Sequence, residues 1–233
     1  MKKSFIVTIV FLLIMGISLF TACNGSDKKS GKTGLEKRVS TYHNAVYVGA
    51  NENFNVSFVT GEAEKIIVID GEVGEMTPFA TLTVTPLSSS LFNNTYTYLL
   101  QGETGERSGN LAKDVIGASF SAEVADTKAI GQIVSVKVIA EGIMESEISL
   151  TNKAEGALSW REILSVAERE LAEVIRAESD TGNLNREIYI KLVNALADAD
   201  QPYYYYVSFI KSSSDYWALL LDPVTGEVIS KKI

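Results

Sequence analysis

The chain has 233 residues, of which 46% are hydrophobic and 21% charged, and its formal net charge is −8. That length holds one large domain or two small ones, and that composition supports a sizeable core rather than wholesale disorder. One Cys and one His exclude an internal disulfide and any metal centre built from a Cys/His cluster.

The chain opens with Lys2 and Lys3. An apolar run over residues 5–20 follows, broken only by Thr8, Gly16 and Ser18. A basic start, a short apolar stretch and small residues before a cut site read as a secretory signal over residues 1–22. The run is shorter than the roughly 20 residues that span a bilayer as a helix. Leu19-Phe20-Thr21-Ala22-Cys23 resembles the lipobox of bacterial lipoproteins, with Phe20 where that family usually has an aliphatic residue. The resemblance implies cleavage before Cys23 and a lipid on its thiol. It places the chain on the outer face of a membrane, held by Cys23.

Residues 23–39 read as a flexible tether. Gly25, Ser26, Ser30, Gly31 and Gly34 are interleaved with Lys28, Lys29, Lys32, Lys37 and Arg38, and such a segment buries too little surface to offset its ordering entropy. Basic charge beside an anionic leaflet is favourable by about 1 kcal/mol per residue. Removing the seven basic and two acidic residues of positions 1–38 leaves 14 basic and 27 acidic residues beyond. A body of net charge −13 argues against a nucleic-acid partner, because phosphate contact needs a basic surface.

Residues 40–152 predict an all-β domain. Residues 54–59, 81–85, 95–100, 119–124 and 133–139 are short alternating or β-branched runs, residues 65–69 form another, and residues 147–150 add an edge. Turn residues such as Asp70-Gly71, Pro86, Gly102 and Gly105 punctuate them. The pattern suits an antiparallel sandwich of immunoglobulin-like architecture, without the Cys pair and Trp of true immunoglobulin domains.

Residues 153–233 predict an α+β domain. Ser159-Trp160-Arg161-Glu162 has capping-box spacing. Trp160, Ile163, Leu164, Ala167, Leu171, Val174 and Ile175 then fall on one helical stripe, and residues 180–183 close the element. Four strands follow, over residues 187–193, 203–211, 215–222 and 227–231. A helix on a four-stranded antiparallel sheet is a stable two-layer solution. Tyr204-x-x-Val207-x-Phe209, Asp215-Tyr216-Trp217 and Leu221-Asp222-Pro223-Val224-Thr225-Gly226-Glu227-Val228 resemble the C-terminal half of a PepSY domain. The likeness covers a third of the chain at most. It implies a non-catalytic interaction module of the kind found in cell-surface lipoproteins and in propeptides of secreted peptidases, and it carries over no catalytic residue.

No catalytic constellation is visible. His43 reads as a surface or strand-edge histidine. Ser26-x-x-Lys29 lies in the tether, and no Gly-x-Ser-x-Gly elbow or phosphate-cradling loop appears. Residues 198–201 (Asp-Ala-Asp-Gln) could offer oxygens to Ca²⁺ but lack the glycine and distal Glu of an EF-hand loop, so neither a metal nor a cofactor is expected. The most unusual feature is Tyr203-Tyr204-Tyr205-Tyr206. Strand alternation puts Tyr204 and Tyr206 on one face, where Tyr189 and Trp217 could join them. Such aromatic clusters are enriched at interfaces; the alternative is that this face packs against the N-terminal domain. The sequence therefore points to a non-enzymatic surface lipoprotein with an exported protein or peptide as partner. Two further readings stand beside it: an inhibitor or folding assistant of an exported peptidase, and an enzyme acting on envelope polymer.

Overall fold

A computed structural model describes residues 34–65, 69–114, 116, 118–180, 184–194 and 202–233. Cys23 and the signal segment lie outside these residues, as do residues 66–68 of the expected strand at 65–69 and the acidic loop at 198–201. Residues 34–233 form one compact unit.

The first strand, β1 (Val39–Ala50), decides the architecture. It lies between β2 (Phe54–Glu64) on one side and β10 (Glu187–Val193) on the other. The β1–β2 ladder is antiparallel, but β1 and β10 run parallel, with Val39 opposite Ile188 and Tyr42 opposite Ile190. Val46 and Val48 face one core while Tyr47 faces another. A strand buried on both faces carries no polar alternation in its sequence, and Val39–Ala50 carries none.

From β1 the sheet continues through β2, β3 (Met76–Pro86), β6 (Ser119–Glu123), β5 (Gly105–Asp114), β4 (Tyr96–Gly102), β7 (Ile133–Ala140) and β8 (Met144–Ser149). Residues 112–114 of β5 pair with β6 and the rest of β5 pairs with β4, so this one strand turns the corner between two layers. One residue beyond β8, the short β9 (Thr151–Asn152) pairs back onto β1 at Val48 and Tyr47. The path closes on itself around Phe54, Phe58, Leu82, Val84, Tyr96, Leu100, Phe120, Val136, Val138 and Ile148.

On the other side of β1 follow β10, β11 (Tyr204–Ile210), β12 (Tyr216–Leu221) and β13 (Val228–Lys232), antiparallel among themselves. Two short helices, α1 (Trp160–Glu170) and α2 (Ala172–Asp180), cover one face. The capping box is present at Ser159 and Glu162. The single helix expected through Ile175 instead breaks at Leu171 (φ −107°, ψ 10°), which is buried where the two helices meet.

The expected fold class is thus corrected. The chain does not form an immunoglobulin-like sandwich followed by a separate helix on a four-stranded antiparallel sheet. Its described residues form one 13-stranded mixed sheet with two short α-helices. The physical cause is β1: Leu35, Val39, Tyr42, Val46 and Val48 belong to the same buried cluster as α1, β10, β11 and β12. Tyr42 stacks on Trp160 at 4.4 Å between ring centroids. The tether also ends sooner than expected. Leu35 is buried, and Arg161 lies 3.7 Å from Glu36.

The Asp222–Gly226 motif has a local role. Asp222 Oδ1 accepts from the Val224 and Thr225 backbone N–H groups and from the Thr225 hydroxyl. Those hydrogen bonds hold the Asp222 carboxyl below its usual range. Gly226 has φ +72°, and a Cβ there would sit 3.2 Å from Leu158 and Val166 side chains, so the turn needs glycine twice over.

Candidate functional site: the open face of the C-terminal strands

Cross-strand pairing sorts β10–β13 into two faces. Ile188, Ile190, Leu192, Tyr205, Val207, Phe209, Trp217, Leu219 and Leu221 are buried with the helices. On the opposite face, residues pair across the strands in rows. One row is Tyr189, Ser208, Ala218 and Lys232. The next is Lys191, Tyr206, Leu220 and Ser230, and a third pairs Val193 with Tyr204. Among the described residues no helix covers this face.

Of the residues expected to form an aromatic surface, Tyr204 and Tyr206 lie on the open face, half-buried. Tyr189 shares the face but is itself buried, as are Ser208 and Ala218 in its row. Trp217 does not share it. Trp217 pairs with Phe209 and packs in the helix-side core, where the Arg186 guanidinium lies 3.8 Å over its ring. Sequence reading missed Tyr216, Leu220, Lys191 and Lys232. Tyr216 pairs with Ile210 at the end of the open face, and the Lys232 ammonium sits 3.3 Å from the centre of its ring. The Lys191 ammonium is 5.5 Å from the Tyr189 ring. Such cation–π contacts are worth about 0.5–1 kcal/mol at exposed sites. Alternation of Tyr189 with Lys191 was the available signal.

One end of the face is closed by a polar clasp. Glu187 is fully buried; its Oε1 accepts from the Asp70 and Gly71 N–H groups at 2.9 and 3.1 Å, and its Oε2 accepts from the Tyr189 hydroxyl at 3.0 Å. Beside it, Glu64 accepts from the Ser40 hydroxyl at 2.8 Å and from the Gly74 N–H at 2.7 Å. Arg38 donates to the Gly71 carbonyl. Burial pushes the Tyr189 hydroxyl up to about 12, with its Ser40 hydrogen bond opposing and Glu187 adding to the shift. Burial also raises Tyr206. The Glu187 and Glu64 carboxylates are thus each matched by donors, as desolvation requires.

His43 sits where β1 meets β10, half-buried. Its Nδ1–H donates to the Leu192 carbonyl at 3.3 Å, and its ring meets Phe79 edge-on at 6.1 Å across Gly61. Burial, with Lys191 nearby, pushes its pKa down to about 4, the Leu192 hydrogen bond opposing. The imidazole is neutral at pH 7, its carbonyl partner cannot be activated as a nucleophile, and the residue acts here as a wall. Among the described residues no cluster of three or more His, Cys, Asp or Glu side chains could hold a metal. A groove of about 250 Å³ lies on the helix side, lined by Val46, Val48, Val59, Thr83, Leu192 and Tyr203; among the described residues no charged side chain lines it. Among the described residues no helix is long and apolar enough to cross a membrane.

Comparison with protein-family models, with curated proteins and with solved structures finds no match for this chain. The reading of this site therefore rests on the chain's own chemistry. The open face thus brings together half-buried tyrosines and lysine ammonium groups.

Proposed function

We propose that this protein is an exported, lipid-anchored, non-catalytic binding protein that presents the open face of β10–β13 to a protein or peptide partner outside the membrane. The location rests on the basic and apolar start followed by Thr21-Ala22-Cys23. The binding role rests on one observation: Tyr204, Tyr206 and Tyr216 are half-buried on a sheet face that neither helix covers. Tyrosine gives large contact area at low conformational cost, which is why it concentrates at interfaces.

A photo-crosslinking amino acid placed at Tyr206 and, separately, at Val134 tests the role. Val134 is 47% exposed on β7, away from this face. Crosslinking in the native envelope should trap a polypeptide from position 206 and none from position 134. Equal products from both positions would defeat the reading. The anchor has its own test: Cys23→Ser should abolish incorporation of a fatty-acid analogue, and label retained on the variant would refute lipidation at Cys23.

A further inference from the structure

β13 is the last strand of the sheet, and among the described residues only β12 pairs with it. Its outer edge therefore presents unpaired main-chain groups, a template for another strand. The edge is flanked by charge. Lys232 pairs with Ala218 and lies on the open face; Lys231 pairs with Leu219 and lies on the helix face, donating to the Glu170 carbonyl. Ile229 and Ile233 beside them are 52% and 63% exposed. Along β10–β13 the open face carries one carboxylate, Glu187, which is fully buried and committed to the clasp. The exposed charges of these strand positions are thus lysines, on a body where acidic residues outnumber basic ones 27 to 14 beyond position 38. Glu227 is exposed but precedes the strand, at the end away from the lysines.

Two like charges opposite one another across a strand pair are destabilising, and opposite charges are favourable. A second copy of β13 offers Lys232 no carboxylate: laid parallel and in register it sets lysine beside lysine, and laid antiparallel about Ser230 it sets Lys232 opposite Val228. An extended segment with alternating acidic side chains brings carboxylates to Lys232 on one row and leaves its apolar residues for Ile229 and Ile233. We infer that the outer edge of β13 receives, by strand addition, an extended acidic segment of a partner protein, with Lys232 selecting its charge. This inference rests on the open face being an interaction surface, because that face is continuous with the edge.

The test is fluorescence anisotropy of the full-length protein in detergent micelles with a labelled short alternating Glu-Val peptide. Binding should weaken as salt rises. It should fall about threefold or more in Lys232→Gln, a loss of about 0.6 kcal/mol, and stay unchanged in Lys231→Gln. The same peptide N-methylated at alternate residues keeps its charge but cannot pair along a strand, and it should not bind. An alternating Lys-Val peptide should not bind either. Equal binding of the methylated peptide overturns strand addition, and equal competition by dextran sulfate overturns selection of a polypeptide. If no acidic peptide binds while crosslinking from position 206 persists, the acidic-strand inference falls and the open face remains a contact surface. If crosslinking from position 206 fails while the peptide still binds through Lys232, the edge acts without the tyrosine face.

Discussion

The two cores on either side of β1 are built by different rules. The first is enclosed by strands alone and held by aromatic rings meeting edge to face: Phe54 with Tyr96 at 5.5 Å, and Tyr96 with Phe120 at 4.8 Å. The second has helices on one face and an open face on the other, and Arg186 and Glu187 are buried beside it. Arg186 links α2 and the β11–β12 turn to the Trp217 ring, through Glu178 at 2.8 Å and Asp215 at 2.9 Å. A closed core needs only apolar fit. A sheet with an uncovered face needs polar fastenings at its margins, and those fastenings position whatever the face displays.

The sharpest way to break this comparison is to ask whether the cores unfold separately. Phe58→Ala in the first should cost about 3–5 kcal/mol through its cavity. Arg186→Ala in the second should cost about 3 kcal/mol, because it takes the guanidinium from the largely buried Glu178 carboxylate and from the Trp217 ring. Since β1 serves both cores, each variant should shift one urea transition seen alike by far-UV circular dichroism and tryptophan fluorescence. Two separable transitions would show that the cores are independent. Tyr189→Phe removes the hydroxyl from the clasp while keeping the ring. It should lower stability by about 1.5–3 kcal/mol and speed amide exchange at Asp70 and Gly71; unchanged exchange would show that the clasp is not held there.

His43 gives a pH test of the junction. Its folded pKa, about 4, lies below the ordinary histidine value of about 6.5, so the unfolded chain binds a proton that the folded chain refuses. Stability attributable to His43 is complete above pH 6.5 and is lost as pH falls toward 4. Between pH 7 and 5 the loss is roughly 2 kcal/mol. His43→Asn should flatten that part of the profile, measured as the urea midpoint at several pH values, and an unchanged slope would assign it elsewhere. The smallest effect belongs to the helix cap. Ser159→Ala should cost about 1 kcal/mol in thermal unfolding, with no change at the open face.

Much of the strand pattern was legible because it alternates. Phe54–Glu64 and the β10–β13 strands have one buried face and show it in their residues. The Ser159 capping box was legible because it is local. Three strands were not: β1, β5 and the two-residue β9. β1 is buried on both sides, and β5 reads as polar because most of its side chains face solvent while its backbone turns the corner. The parallel join of β1 to β10 leaves no local mark, and its absence from the sequence reading produced two domains where one sheet exists. Within the site, alternation placed Tyr204 and Tyr206 opposite Tyr205, but it could not set the register of β12, which sends Trp217 to the core and Tyr216 to the open face.

That same parallel join has a kinetic side. His43 and Leu192 are hydrogen-bonded across 149 positions of chain. Contacts of such long range are slow to form, since the loop entropy must be met before they stabilise anything. In a chain made N-terminus first, β1 is present long before β10 exists. Until then the residues 39–42 edge has no β10 partner, and Val46 and Val48 lie bare on the helix side. The interval before β10 arrives is when this protein is most open to aggregation or proteolysis. Chains truncated before residue 187 should therefore accumulate as aggregates or fragments, never as a stable half-molecule.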